Sequence, residues 1–157
     1  MMIIDSTYFK GMLSIGLSPD TGEPSVTQEA ERERIEWFIK EYEKEYLKKL
    51  LGDEVCTEFV AYCEGVEEDG YFRKLKERLQ EDYSPIACYV FYKFVTVGNV
   101  HVTNMGSVKS AGEDVVSPRT LCVRVWNDMV NKNRELVDEF FLEPRCELVD
   151  YINVFNI

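Results

Sequence analysis

The chain contains one histidine, His101, within the stretch "TVGNVHVTNMGSVKSAGED" at residues 96–114. Nucleophilic catalysis by a triad needs a base, which is usually a histidine. His101 lies between two valines, and the sequence suggests no triad partner near it. The glycines of this stretch fit neither the P-loop nor the dinucleotide-binding pattern. We therefore predict no catalytic residue and no cofactor. A small enzyme or ligand-binding domain around His101 is the weakest of our functional alternatives.

The cysteines and carboxylates are the candidate metal ligands of this chain. The five cysteines are Cys56, Cys63, Cys88, Cys122 and Cys146. No two of them have C-x-x-C spacing, and a zinc site would need four ligands from a chain with one histidine. A di-metal helical bundle would need Glu-x-x-His motifs, which the sequence lacks. The sequence therefore predicts no metal site, reduced and mostly buried thiols, and carboxylates on solvated helix faces.

The glycine-containing stretch is better interpreted as a projecting loop, at residues 98–116. The segments "NVHVT" and "SVKS" alternate in character, and Gly106 between them can supply the positive φ of a hairpin turn. Because an isolated hairpin is only marginally stable in water, we expect another chain to pack on it. A loop without a partner is the alternative. The side chains predicted to contact the partner are Val100, His101, Val102, Met105 and Val108.

Trp37 is a further candidate for a protein interface. At 100° per residue it lies opposite the apolar stripe of its predicted helix, on a charged face. Tryptophan on such a face is typical of protein interfaces. The alternative is that Trp37 packs against the N-terminal arm.

The composition limits the partners. The formal net charge is −11, with no visible basic cluster, so nucleic acid and anionic membranes are disfavoured. The longest apolar run is far too short to span a bilayer, and the N-terminus lacks the features of a signal peptide. We expect a protein of the reducing cytoplasm, in one domain covering residues 1–157.

Helix signals begin after an N-terminal stretch, residues 1–24, that we expect to form short strands or an extended arm. A capping box at Ser25 opens a long helix that ends at Leu51, before Gly52. Its apolar stripe consists of Ile35, Phe38, Ile39, Tyr42, Tyr46 and Leu50. Asp53 can cap a second helix ending near Gly65, and a third follows the Asp69–Gly70 turn.

Two prolines mark the remaining helices. Pro85 opens a helix to about Val97 that is apolar nearly all round and should therefore be central. Pro118 opens the last helix, which Pro144 ends, and residues 144–157 form a C-terminal arm or short strand. The predicted fold is mostly α: a bundle of about five helices, with a projecting loop and short extended segments at both termini.

Four segments together resemble a known group of proteins: "IEWFIKEYEKEYLKKLLG", "YVFYKFVTVGNVHVTNMGSVKSAGED", "RVWNDMV" and "INVFNI". They resemble a family of small proteins carried by gut-bacterial genomes and their prophages, across most of residues 30–157. Proteins of this family look similar in size and helix order to the head–tail connector (adaptor) subunits of tailed phages. The family pattern has a glycine where this chain has Asn156, and the first 25 residues match only loosely.

The resemblance implies a non-enzymatic virion component that forms a ring or other homo-oligomer. Its partners would be copies of itself and the portal or other virion proteins. The alternative is a protein-binding scaffold or regulatory module that acts through Trp37 and the loop. The two classes differ in whether the chain binds itself and portal protein or an unrelated partner.

Overall fold

The computed structural model describes residues 2–15, 26–65, 69–98 and 118–156. Within these residues the chain is mostly helical and contains five α-helices, which confirms the predicted fold class. They are α1 (Val26–Leu51), α2 (Asp53–Cys63), α3 (Gly70–Leu79), α4 (Pro85–Thr96) and α5 (Pro118–Phe140). Short 3-10 helices occupy the two ends, at Ser6–Tyr8, Gly11–Leu13, Cys146–Leu148 and Val154–Asn156.

The helix boundaries follow local capping chemistry. The Ser84 hydroxyl accepts from the backbone N–H groups of Ile86 and Ala87, and Pro85 needs no hydrogen bond at the first helical position. The Asp69 carboxylate caps α3 in the same way. Gly52 adopts φ 77°, so it ends α1 and also serves as the N-cap of α2, one residue before the predicted cap.

Helix α4 is the buried centre of the bundle, as its apolar sequence predicts. It packs against both α1 and α5. Its buried residues are Pro85, Ile86, Ala87, Cys88, Tyr89, Val90, Phe91 and Phe94. Most of the predicted α1 stripe is also buried, and only Tyr42 is half-buried. A helix without a polar face can remove its apolar side chains from water only by lying between other helices. Helix α4 lies between α1 and α5.

The described parts of the two ends contain no strands. Residues 2–15 pack on the bundle, where five of their apolar side chains join the core: Ile3, Ile4, Phe9, Leu13 and Ile15. The backbone N–H groups of Ile3 and Ile4 donate to the Glu43 carboxylate at 2.8–3.1 Å instead of to a neighbouring strand. The alternation in the N-terminal sequence therefore reflects packing on helices rather than a sheet.

The direction of each helix defines two ends of the bundle. Helices α1 and α4 are antiparallel, because Phe38 contacts Phe94 and Tyr46 contacts Tyr89 further along. Near the end of α1, the Lys49 carbonyl accepts from the Arg145 N–H, just beyond α5. The first half of α1, the last turn of α4 and the start of α5 therefore share one end, which we name the loop end.

Candidate protein-binding surface

Gly98 fixes the point at which the chain leaves the loop end of α4. The Arg34 guanidinium donates to the Gly98 carbonyl at 2.7 Å and lies over the Phe94 ring, 5.3 Å from its centroid. A Cβ at Gly98 would overlap the Phe94 carbonyl oxygen and lie 3.2 Å from the Phe38 ring. Only glycine allows this close approach. The exit of the chain from α4 is thus held by both packing and a charged hydrogen bond.

Two large apolar side chains are exposed beside this exit. Trp37 is 57% exposed and Val97 is 54% exposed. The Trp37 ring meets Phe38 edge-to-face at 5.1 Å, and Phe38 in turn meets the Phe94 ring at 5.1 Å. We refer to Arg34, Trp37 and Val97 together as the loop-end surface. It combines an aromatic anchor with a cation on a rigid helical base, as protein interfaces commonly do.

The predicted interface residues divide into two groups. Trp37 lies on the exposed side of α1, as its helical position predicts, with its ring edge against Phe38. The predictions for Val100, His101, Val102, Met105 and Val108 fall outside the described residues. Val97 was not predicted as an interface residue, because the sequence placed it at the end of a buried helix. The signal was available, because Gly98 directly follows it and marks the end of that helix.

Further exposed aromatic rings occur after α5. Phe155 is 93% exposed, and Phe141 is 90% exposed. The tail after Pro144 runs back along α5, since Leu148 bonds to Asn133 and Ile152 bonds to Asn127. Phe155 therefore lies towards the loop end and Phe141 at the opposite end. Neither ring was predicted from sequence to be an interface residue.

A polar cluster joins α1, α4 and the tail. The Lys49 ammonium lies 2.6 Å from a carboxylate oxygen of Glu45 and 2.6 Å from one of Glu147. It also donates to the Tyr89 hydroxyl at 2.9 Å. Burial acts to lower the pKa of Lys49, but the hydrogen bonds to Glu147 and Glu45 outweigh it and raise the pKa above its usual value. The ammonium stays protonated, so this cluster ties three segments together and supplies no nucleophilic amine.

Two of the thiols, those of Cys88 and Cys122, are also unsuited to nucleophilic chemistry. All five are free, and Cys146 is exposed. Burial raises the pKa of Cys88 to about 12 and that of Cys122 to about 11, so both remain neutral thiols. Among the described residues, no group of three or more histidine, cysteine, aspartate or glutamate side chains is arranged to hold a metal ion.

Comparison of the chain with protein-family models, with curated proteins and with solved structures found no match. In the part of the chain that the structure describes, no helix has both the length and the apolar character needed to cross a membrane. Among the features described above, the loop-end surface has the clearest binding character.

Proposed function

We propose that this protein is a non-enzymatic structural subunit that assembles with copies of itself, as a head–tail connector-like component of a phage particle. Its further partners would be the portal or other virion proteins, and its location the host cytoplasm and then the virion. The proposal combines the sequence resemblance with one structural observation. That observation is the exposure of Trp37 and Val97 beside the rigid exit of the chain at Gly98.

The physical argument starts from the cost of exposing these side chains. An apolar residue gains roughly 1.5–3 kcal/mol when it is fully buried, and aromatic rings contribute more contact area than aliphatic ones. Trp37 and Val97 are both more than half exposed, so a partner chain would bury surface that the bundle leaves in water. Arg34 is already anchored to Gly98 and Phe94. Its planar head would lose little freedom on binding, which favours association.

Charge makes a separate contribution to self-association. The formal net charge of −11 means that copies of the chain repel one another at long range. Salt screens such repulsion over a Debye length of about 8 Å at physiological ionic strength. We therefore expect self-association to strengthen as salt is raised, because apolar contacts at the loop end are little affected by screening.

The test compares two substitutions that add the same charge at sites of similar exposure. Trp37→Glu alters the loop-end surface, and Met12→Glu alters an apolar side chain that is 41% exposed on the N-terminal segment. The mass of each variant is measured by light scattering across a concentration series, alone and with the phage portal protein. We expect Trp37→Glu to abolish self-association or portal binding and Met12→Glu to preserve both.

Deletion of residues 99–110 extends the same test to the predicted loop contacts. If the wild type remains monomeric at every concentration and does not bind portal protein, the connector proposal is wrong. Binding to another protein through Trp37, without self-association, would instead support the scaffold alternative. A folded Trp37→Glu variant that assembles like the wild type would exclude this surface as the interface.

A further inference from the structure

The C-terminal tail is held on α5 mainly through its backbone. Asn133 donates to the Leu148 carbonyl at 2.8 Å, and Arg134 donates twice to the Val149 carbonyl, at 2.7 and 3.0 Å. The Trp126 indole N–H donates to the Asp150 carbonyl at 3.1 Å.

Asn127 completes this set by pairing with both backbone groups of Ile152: it donates to the carbonyl at 3.0 Å and accepts from the N–H at 2.9 Å. We name these four α5 side chains the tail clamp: Trp126, Asn127, Asn133 and Arg134. Because the clamp contacts mostly backbone, it recognises an extended segment more than a particular side-chain sequence. Side-chain packing fixes the position of the tail along α5, because Leu148 is fully buried and Ile152 is half-buried.

The turn that brings the tail onto α5 is strained. Phe141 has φ 53°, in the left-handed region, and the Leu142 N–H bonds back to the Val137 carbonyl at 3.3 Å. This is the helix-ending motif whose left-handed position is usually glycine. For other residues the left-handed conformation costs roughly 1–2 kcal/mol. The Phe141 ring is 90% exposed, so little packing within the described residues offsets that cost.

We infer that the tail exchanges between two copies of this chain, with Phe141 as the hinge. If the chain straightens at Phe141, residues 142–156 leave their own α5 and the Lys49 contacts of their own α1, and can occupy the tail clamp of a second copy. The same backbone hydrogen bonds then form between chains, while the left-handed strain is released in both. Strained hinges of this kind favour exchange of identical elements between protomers.

The segment that would occupy the tail clamp is the tail of a second copy, because the segment that fills the clamp in the structure belongs to this chain. The inference deepens the proposed function by naming a contact through which copies could associate. It does not depend on the loop-end surface. The two can therefore fail separately in experiment.

Cross-linking detects the exchange directly. The Tyr151 hydroxyl donates to the Asn131 side chain at 2.6 Å, so these positions join tail and α5. Two variants, Asn131→Cys and Tyr151→Cys, are made in a background in which Cys63 and Cys146 are serine. The two are mixed at high concentration and treated with a short bismaleimide. A linked heterodimer is expected only if the tail of one copy lies on α5 of the other.

A single chain that carries both cysteines is the control that the cross-linker can span positions 131 and 151. This chain should link within itself at low concentration. Efficient internal linking together with no link between copies at high concentration would overturn the inference. A dimer that forms without this link would also overturn it, while leaving self-association through the loop end intact.

Matched variants at position 141 test whether backbone strain at Phe141 favours the exchange of tails. Phe141→Gly removes the strain, and Phe141→Val raises it, because a β-branched residue fits the left-handed region poorly. Both remove an exposed ring, so burial changes little. We expect the dimer dissociation constant to rise about tenfold or more for glycine relative to valine, since each dimer contains two hinges. Equal dissociation constants for two folded variants would show that Phe141 is not the hinge.

Discussion

Glu43 is a buried carboxylate that holds the N-terminal segment, and replacing it should detach that segment. The side chain is only 4% exposed and accepts from the N–H groups of Ile3 and Ile4. Glu43→Ala leaves both donors without an acceptor. Each unsatisfied buried group costs about 1–3 kcal/mol, so the free energy of unfolding should fall by about 2–6 kcal/mol. The loss is limited by the docking energy of the segment, because the segment can leave the bundle and hydrate its N–H groups.

Glu43→Gln is the matched control for the hydrogen bonds. Glutamine keeps a carbonyl oxygen that can accept from the same N–H groups, and it removes a charge from a buried site. We expect a change of about 1 kcal/mol or less at neutral pH. A large loss in Glu43→Gln similar to that in Glu43→Ala would mean that the charge, rather than the acceptor geometry, holds the segment.

The stability difference between wild type and Glu43→Gln should depend on pH, because the pKa of the Glu43 carboxyl is shifted. Burial raises the pKa of Glu43 above 4.5, against a smaller opposing effect of the Ile4 and Ile3 N–H groups. The folded state therefore binds this proton more tightly than the unfolded state. The resulting stabilisation is present below pH 4.5 and is lost as the pH rises through the higher folded value. Acidification from neutral pH towards 4.5 should favour wild type over Glu43→Gln.

The assay combines urea unfolding with hydrogen exchange. The unfolding free energies of wild type, Glu43→Ala and Glu43→Gln are compared at pH 7 and pH 5. The contributions of carboxylates that all three proteins share cancel in the differences. Amide exchange then reports on the segment itself, and Ile3 and Ile4 should lose protection in Glu43→Ala. Equal protection of these amides in wild type and Glu43→Ala would refute the reasoning.

Three other substitutions test the core, the tail and the exit of α4. Phe91→Ala should lower the unfolding free energy by about 3–5 kcal/mol because the ring is fully buried; a loss below 1 kcal/mol in urea unfolding would contradict the central position of α4. Asn133→Ala should cost about 2–4 kcal/mol, and in a double-mutant cycle Tyr46→Phe should then add little, because their 2.5 Å hydrogen bond is already lost. Gly98→Ala should lower the thermal midpoint through its overlap with the Phe94 carbonyl, whereas Gly70→Ala, with open space around it, should not; equal midpoints would count against the packed exit.

The helical order of the bundle could be predicted because its signals are local. Ser84 and Pro85 lie next to the helix that they start, and Gly52 lies next to the helix that it ends. The burial of α4 was predictable for the same reason, since its own twelve residues carry the pattern. The sequence was sufficient to predict a helix boundary or a buried helix where the residues that determine it lie within one or two helical turns.

The two ends could not be predicted because their partners are distant in sequence. Glu43 lies about forty residues from the N–H groups that it binds. Weak alternation in the terminal sequences left short strands and extended or packed arms as alternatives. The neighbouring surface is a helix, so side chains take the place of a partner strand. The available signal was a polar residue on an apolar stripe: Glu43 lies four residues after Ile39, and Asn133 lies three after Val130.

Glu43 and Asn133 are buried polar residues whose role can be inferred from their positions on apolar stripes. An apolar side chain at position 43 or 133 would continue the buried stripe of its helix without a desolvation cost. It would, however, leave buried backbone groups of Ile3, Ile4 or Leu148 without partners. Glu43 and Asn133 therefore stabilise the docked terminal segments more than the helices that carry them. The segments are held by hydrogen bonds to their own backbone and by apolar side chains that join the core, such as Leu148 in the tail. Tail exchange must therefore re-form both kinds of contact in a second copy, and an identical chain offers both.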